Sequence, residues 1–384
     1  MTNAPAHVPI RRILEQVTAL PGVQPLRIFP LLLPMWAVRV RSVVQEAQPY
    51  EVFDRYLSRA IGRAGLRDVP GLAAFFAVEP ALVERALGFL DTVGHLRRDG
   101  DALGLTEIGL SSVADGQRYV LKEDQQILYF DGFTGAALPK AHYAGAVWLD
   151  EPQLSLSGST RFHPVASSGV FRMDTVVELA RRADREKFNL PGALKSVEPL
   201  ALGNSWLPAY VVACASGLLV YVKAIEGADP YLSKLVAPYL RDALAAEKAV
   251  DDVRVWREWL AGRGFRDVEP RRLPNRILRA SLPVEAFPER MKWWQLGSFE
   301  TRENTFLQLW CDDEPTRLRA VLVRAGSQVT RRGVRDVEGI ERRLGELSKQ
   351  LEVPTPGVES LRVHARAERD DVLNQMLENM TADR

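Results

Sequence analysis

Cysteine is nearly absent from this 384-residue chain, and histidine and lysine are scarce. Cys214 and Cys311 lie in the apolar, strand-like runs AYVVACAS and FLQLWCDD, with no Cys or His neighbour at metal-ligand spacing. That excludes a disulfide framework and a zinc site and leaves two buried structural thiols. The five histidines (His7, His95, His142, His163, His364) form no HxH, HxxxH or HExxH group, so a metal centre built from imidazoles is excluded. Without an HxK motif, two-histidine phosphodiester chemistry has no nucleophile. No GxxxxGK[ST] loop, strand-borne GxGxxG or GxSxG elbow occurs, which removes the common ATPase, dinucleotide and hydrolase readings, and no cofactor is expected. Long hydrophobic runs are also missing. The most apolar stretch, Ile28 to Val38, is short and broken by Pro30 and Pro34, and the N-terminal residues hold no signal-like apolar core, so the expectation is a cytoplasmic chain without a membrane partner.

What is present suits two or three globular domains. Nearly half the residues are hydrophobic, a quarter are charged, and the net charge is +1, which argues against a whole-surface grip on nucleic acid but allows a local basic face. Arginine outnumbers lysine 41 to 9, read mainly as base composition of the genome. The expected class is a multi-domain α+β protein. Its segments are an N-terminal arm (1–48), a helical and hairpin domain (49–116), an α/β middle domain with antiparallel hairpins (117–268), a C-terminal α/β domain (269–353) and a helical tail (354–384). The arm is predicted to hold a helix near Ile10 to Leu20 and another from Trp36 to Ala47, covered by the adjoining domain or by a partner chain.

From Tyr50 the periodicity is helical through Val52, Phe53, Tyr56, Leu57, Ala60 and Ile61. VPGLAAFFAV gives a second helix, and Pro80 opens a third with Leu82, Val83, Ala86, Leu87 and Leu90 inward. HLRRDGDALGLT reads as two strands about an Asp99-Gly100 turn, and Thr106 caps a last helix. Three helices, a two-stranded wing and Leu-Thr-x-x-Gly resemble the winged helix-turn-helix family over residues 50 to 116. The resemblance implies that the third helix would enter the major groove. Its polar positions, Glu79, Glu84, Arg85, Asp91 and Thr92, are net acidic, which counts against base reading. Basic groups sit elsewhere: Arg55, Arg59 and Arg63 along the first helix, Arg97 and Arg98 on the wing. They suit weak, salt-dependent contact with the backbone of double-stranded DNA.

Further along, a hairpin is expected about Ser216-Gly217, and Phe306 to Trp310 is expected to pair with Leu318 to Val323 across CDDEPT. Ser360 to His364 is expected to be extended. Asp131, with Lys122 and Glu123 upstream, is the best candidate for a carboxylate-held metal, whereas Asp312, Asp313 and Glu314 read as a solvated turn. Trp36, Trp293 and Trp294 are candidate interface residues. The expectation is a non-enzymatic component of a nucleic-acid-associated bacterial assembly, of regulatory or phage-defence type, with partner subunits or a second copy as its protein contacts. The alternative is a metal-dependent nuclease or phosphodiesterase using the carboxylates near Asp131.

Overall fold

A computed structural model describes residues 8–100, 102–154, 161–247, 251–332 and 336–382. It is a mixed α+β protein. In chain order come α1 (Ile10–Thr18), β1 (Pro25–Gln48), α2 (Val52–Gly62), α3 (Val69–Phe76), α4 (Pro80–Thr92), β2 (Leu96–Asp99), β3 (Ala102–Leu105), α5 (Glu107–Asp115) and β4 (Arg118–Asp131). Then follow β5 (His163–Pro164), α6 (Asp174–Arg181), β6 (Leu194–Cys214), β7 (Gly217–Val222), α7 (Pro230–Ala246) and α8 (Asp252–Ala261). The remainder is β8 (Arg271–Arg272), β9 (Leu278–Ser281), β10 (Phe299–Arg302), β11 (Thr305–Trp310), α9 (Glu314–Arg332), α10 (Val337–Leu351), α11 (Val358–Ala367) and α12 (Asp371–Ala382).

The chain divides into two compact units, each assembled from separated stretches: 1–33, 145–165 and 206–384 in the first, 34–144 and 166–205 in the second. These units are discontinuous, whereas the five segments expected from sequence run consecutively. Strand β1 contributes to both, and so does β6.

The second unit is built on a long antiparallel pair, β1 with β4, in register from Met35↔Asp131 to Gln48↔Arg118. The helix expected over Trp36 to Ala47 is therefore strand. Its apolar spacing fits either period, but Val38, Val40 and Ser42 alternate with Arg39 and Arg41. That β-branched, period-two pattern buries one set against Leu128 and Phe130. The pair is joined at one end by everything from α2 to α5, so this helix–hairpin insert occupies the place of a turn. The insert has its own core of Leu57, Ile61, Leu72, Val83, Leu87, Leu90, Leu96 and Leu103, each fully buried Leu contributing about 2 kcal/mol. Its boundaries follow local chemistry. Asp68 accepts from Gly71 N at 2.7 Å to start α3 beside Pro70, Pro80 opens α4, and the left-handed Gly116 ends α5.

In the first unit, α1 buries Ile13, Leu14 and Val17 against Tyr210, Phe299 and Phe306, so the helix of the expected arm is covered by residues distant in sequence and not by the adjoining domain. A four-stranded sheet, order β10-β11-β9-β8, packs on α8 to α12 around Trp256, Trp310 and Leu344. Strand β11 pairs with β10 antiparallel and β9 parallel, and not with 318–323, which belong to α9. Thr316, Ala320, Val321, Ala325 and Val329 are buried at helical spacing, and Asp313 starts the helix by accepting from Thr316 N and Oγ1 with Pro315 in the first turn. The acidic CDDEPT run is thus a helix cap, not a hairpin turn. Likewise 360–364 is helical in α11, with Leu361 and Ala365 inward one turn apart. No helix among the described residues is long and apolar enough to cross a membrane.

Candidate nucleic-acid interface and surrounding sites

Helix α2 turns one face to its core and leaves Val52, Arg55, Tyr56 and Arg59 on the other, with Arg63 just past its C-terminal end; the three arginines recur every four residues. Val52 is 71% exposed and Tyr56 48%. The guanidinium groups of Arg55 and Arg59 lie 5.6 and 5.9 Å from the Tyr56 ring centre, so the aromatic ring holds two cations along a short stripe. Arg63 reaches the Val113 carbonyl at 3.4 Å. No carboxylate pairs with any of these three arginines, nor with Arg97, among the described residues.

The hairpin separates its two arginines. Arg97 is opposite Gly104 on the outward face, whereas Arg98 points back to Glu84 of α4 at 3.9 Å. Helix α4 exposes Glu84, Arg85, Phe89 and Asp91, and Arg118 covers Phe89 at 5.2 Å. Residues 50–116 carry seven arginines against ten carboxylates, so the free cations of α2 stand out against an acidic background. The α2 cations can take an anionic group, whereas the exposed face of α4 is dominated by carboxylates.

A buried seam fixes the insert to β4. His95 is fully buried and donates from Nε2 to the Tyr119 carbonyl at 2.6 Å; its Nδ1 has no partner among the described residues. Burial without a second partner pushes its pKa below the ordinary histidine value. Ser112 Oγ accepts from Tyr119 N and donates to the Ile108 carbonyl. The Leu-Thr-x-x-Gly run finds its physical reason here. Thr106 caps α5 and donates to the Gly94 carbonyl at 2.6 Å, while a Cβ on Gly109 would lie 2.4 Å from the His95 carbonyl oxygen.

Asp131 does not gather a metal set. Its carboxylate is fully buried and accepts from Phe133 N, Thr134 N, Thr134 Oγ1 and Ala136 N at 2.7 to 2.9 Å, so it organises its own loop. Lys122 and Glu123 are exposed on β4 opposite Val44 and Val43. Eight residues of extended strand place Glu123 about 26 Å from Asp131. No group of three or more His, Cys, Asp or Glu that could hold a metal ion occurs among the described residues. Both thiols are buried, and desolvation pushes Cys214 up to about 11.

The three tryptophans are placed differently. Trp36 packs near Phe171, ring centres 6.3 Å apart, in the second unit. In the first, Trp293 stacks on Phe287 at 5.9 Å, and Trp294 is 46% exposed beneath Arg11 at 4.1 Å. Trp293 and Trp294 line a cleft of about 580 Å³ with Lys292, Arg324 and Gln328. A larger cleft of about 860 Å³ lies among α1, the β9–β11 sheet and α10 and also includes Gln328. Sequence reading misses this second cleft because Arg11, Arg279 and Lys349 come together only through the fold.

Comparison of the chain with models of protein families, with curated proteins and with solved structures finds no match in any of the three.

Proposed function

We propose that the chain is a non-enzymatic component of a nucleic-acid-associated assembly. In this reading the α2–α5 insert is a winged-helix module that holds the backbone of double-stranded DNA weakly and presents its remaining surface to protein. The observation that carries this is the α2 stripe: half-buried Arg55 and Arg59 on the helix and exposed Arg63 just past its end, none neutralised by a carboxylate among the described residues. Surface cations that neutralise phosphates release the counterions condensed on the duplex, which gives affinity without sequence information. The acidic α4 supports the lack of base readout, since carboxylates there repel phosphate and, in the major groove, accept hydrogen bonds only from cytosine and adenine amino groups. Protein contact is supported by exposed Phe75 on the insert, and by Leu121 and Ile127 on β4. The saturated Asp131 carboxylate offers nothing to the nuclease alternative.

Gel retardation of a short duplex at low salt tests the reading. The expected result is a complex lost in Arg55→Ala/Arg59→Ala/Arg63→Ala and kept in Arg85→Ala. Retention in the triple variant with loss in Arg85→Ala would overturn it, because α4 would then be the contact.

A further inference from the structure

The larger cleft of the first unit is a built polar site. Glu15 of α1 accepts from Gln350 Nε2 at 2.9 Å, the Gln350 side-chain carbonyl accepts from Arg324 at 2.9 Å, and Arg324 also donates to the Leu296 carbonyl at 3.0 Å. Arg324 is therefore held by two neutral oxygens and has no ion pair among the described residues. Burial lowers its pKa to about 10, which still leaves it protonated at neutral pH.

The lining carboxylates are already engaged. Glu352 pairs with Arg279 and Glu346 with Arg343, while Glu15 serves Gln350. Lys349 has no ion pair among the described residues, and the carboxylate nearest Arg12 is that of exposed Glu226, 3.9 Å away. The lining carries five cationic side chains against three carboxylates, and Lys349 has no ion pair among the described residues, so positive charge is in excess beside the amide groups, the chemistry that binds an anion. Its volume, about 860 Å³, is that of a small-molecule site.

The aromatic cleft shares Gln328 with it and has Arg324 in its wall. There Trp294 is braced on one side by Arg11, itself fixed by Glu300 at 2.8 Å and the Phe299 carbonyl at 3.1 Å. The exposed part of the indole is a preorganised stacking surface. We propose that these adjoining clefts form one site for a nucleotide, with its phosphate near Lys349 and Arg12 and its base against Trp294. This is independent of how the insert is used.

Calorimetric titration of the full chain with AMP, adenosine and inorganic pyrophosphate tests the assignment. AMP is expected to bind. Lys349→Ala should weaken AMP and pyrophosphate about tenfold and leave adenosine unchanged, the loss of one charge-assisted contact. Trp294→Ala should weaken AMP and adenosine about tenfold and leave pyrophosphate unchanged. Both side chains are surface-exposed, and unchanged unfolding temperatures would confirm that the variants fold. Absence of AMP binding, AMP binding unaffected by both substitutions, or pyrophosphate binding as tightly as AMP with no contribution from Trp294, would each overturn the assignment.

Discussion

Arg317 and Arg279 of the first unit are tied to the fold, whereas the arginines of α2 in the second meet no carboxylate among the described residues. Arg317 donates to the carbonyls of Leu351, Cys311 and Asp312 at 2.8 to 2.9 Å and lies 5.0 Å from the Trp310 ring. Arg279 bonds Gln308 and Glu352 while stacking on Trp310 at 3.9 Å. Arg55, Arg59 and Arg63 of α2 meet an aromatic ring or one carbonyl and no carboxylate among the described residues. The same residue type therefore has two uses. Where its donors are spent internally it stabilises the native state; where they are free, the charge is available to something else.

The contrast can be broken by substitution. The largest effect belongs to a carboxylate whose oxygens are as fully occupied as the donors of Arg317. Asp131→Ala strands three backbone N–H groups and a hydroxyl and should cost about 4 kcal/mol in urea denaturation. Mg²⁺ should leave the unfolding midpoint of the native chain unchanged; a stabilisation that disappears in this variant would revive the metal reading. Next, Arg317→Ala abandons three carbonyls and should cost about 3 kcal/mol by the same measurement.

A smaller effect depends on pH. His95 has a lowered pKa in the folded state, so the unfolded chain binds more protons as pH falls through the ordinary value of 6.5. Its stabilising contribution is complete above that value and declines as pH falls below it. His364 is shifted in the same direction, also by burial, so the readout is the difference between the native chain and His95→Gln. The variant should lose part of the acid sensitivity, and identical pH profiles would remove His95 from the account. The smallest effect completes the comparison. Arg59→Ala should change stability by less than about 0.5 kcal/mol, as expected of a half-buried side chain with no hydrogen bond or ion pair among the described residues. A loss comparable to that of Arg317→Ala would mean that the α2 stripe is structural.

The insert is largely legible in the sequence because its signals are local: Asp99-Gly100 at the hairpin, Pro80 at a helix start, Thr106 at a cap. Strand β1 is not, since apolar residues at 36, 40, 43 and 47 satisfy a helical period and only pairing with β4 settles the matter. The α9 start misleads for a related reason, as Asp313 and Pro315 suit a turn and a helix cap equally well. For Asp131, YFDGFTG holds the warning. An Asp followed by Gly and Thr is also the composition of a loop that folds around its own carboxylate. The polar cleft has no local signal at all, because Glu15 and Gln350 meet across 335 positions of sequence.

The central claim, that the free arginines of α2 make a backbone contact, is tested most directly by the salt dependence of duplex binding. Measured by fluorescence anisotropy across a range of NaCl, the slope of log K against log[salt] should fall by about 2.7 in Arg55→Ala/Arg59→Ala/Arg63→Ala, near 0.9 for each phosphate contact removed. It should be the same for duplexes of unrelated sequence. An unchanged slope, or binding confined to one sequence and lost in Arg85→Ala, would contradict the account.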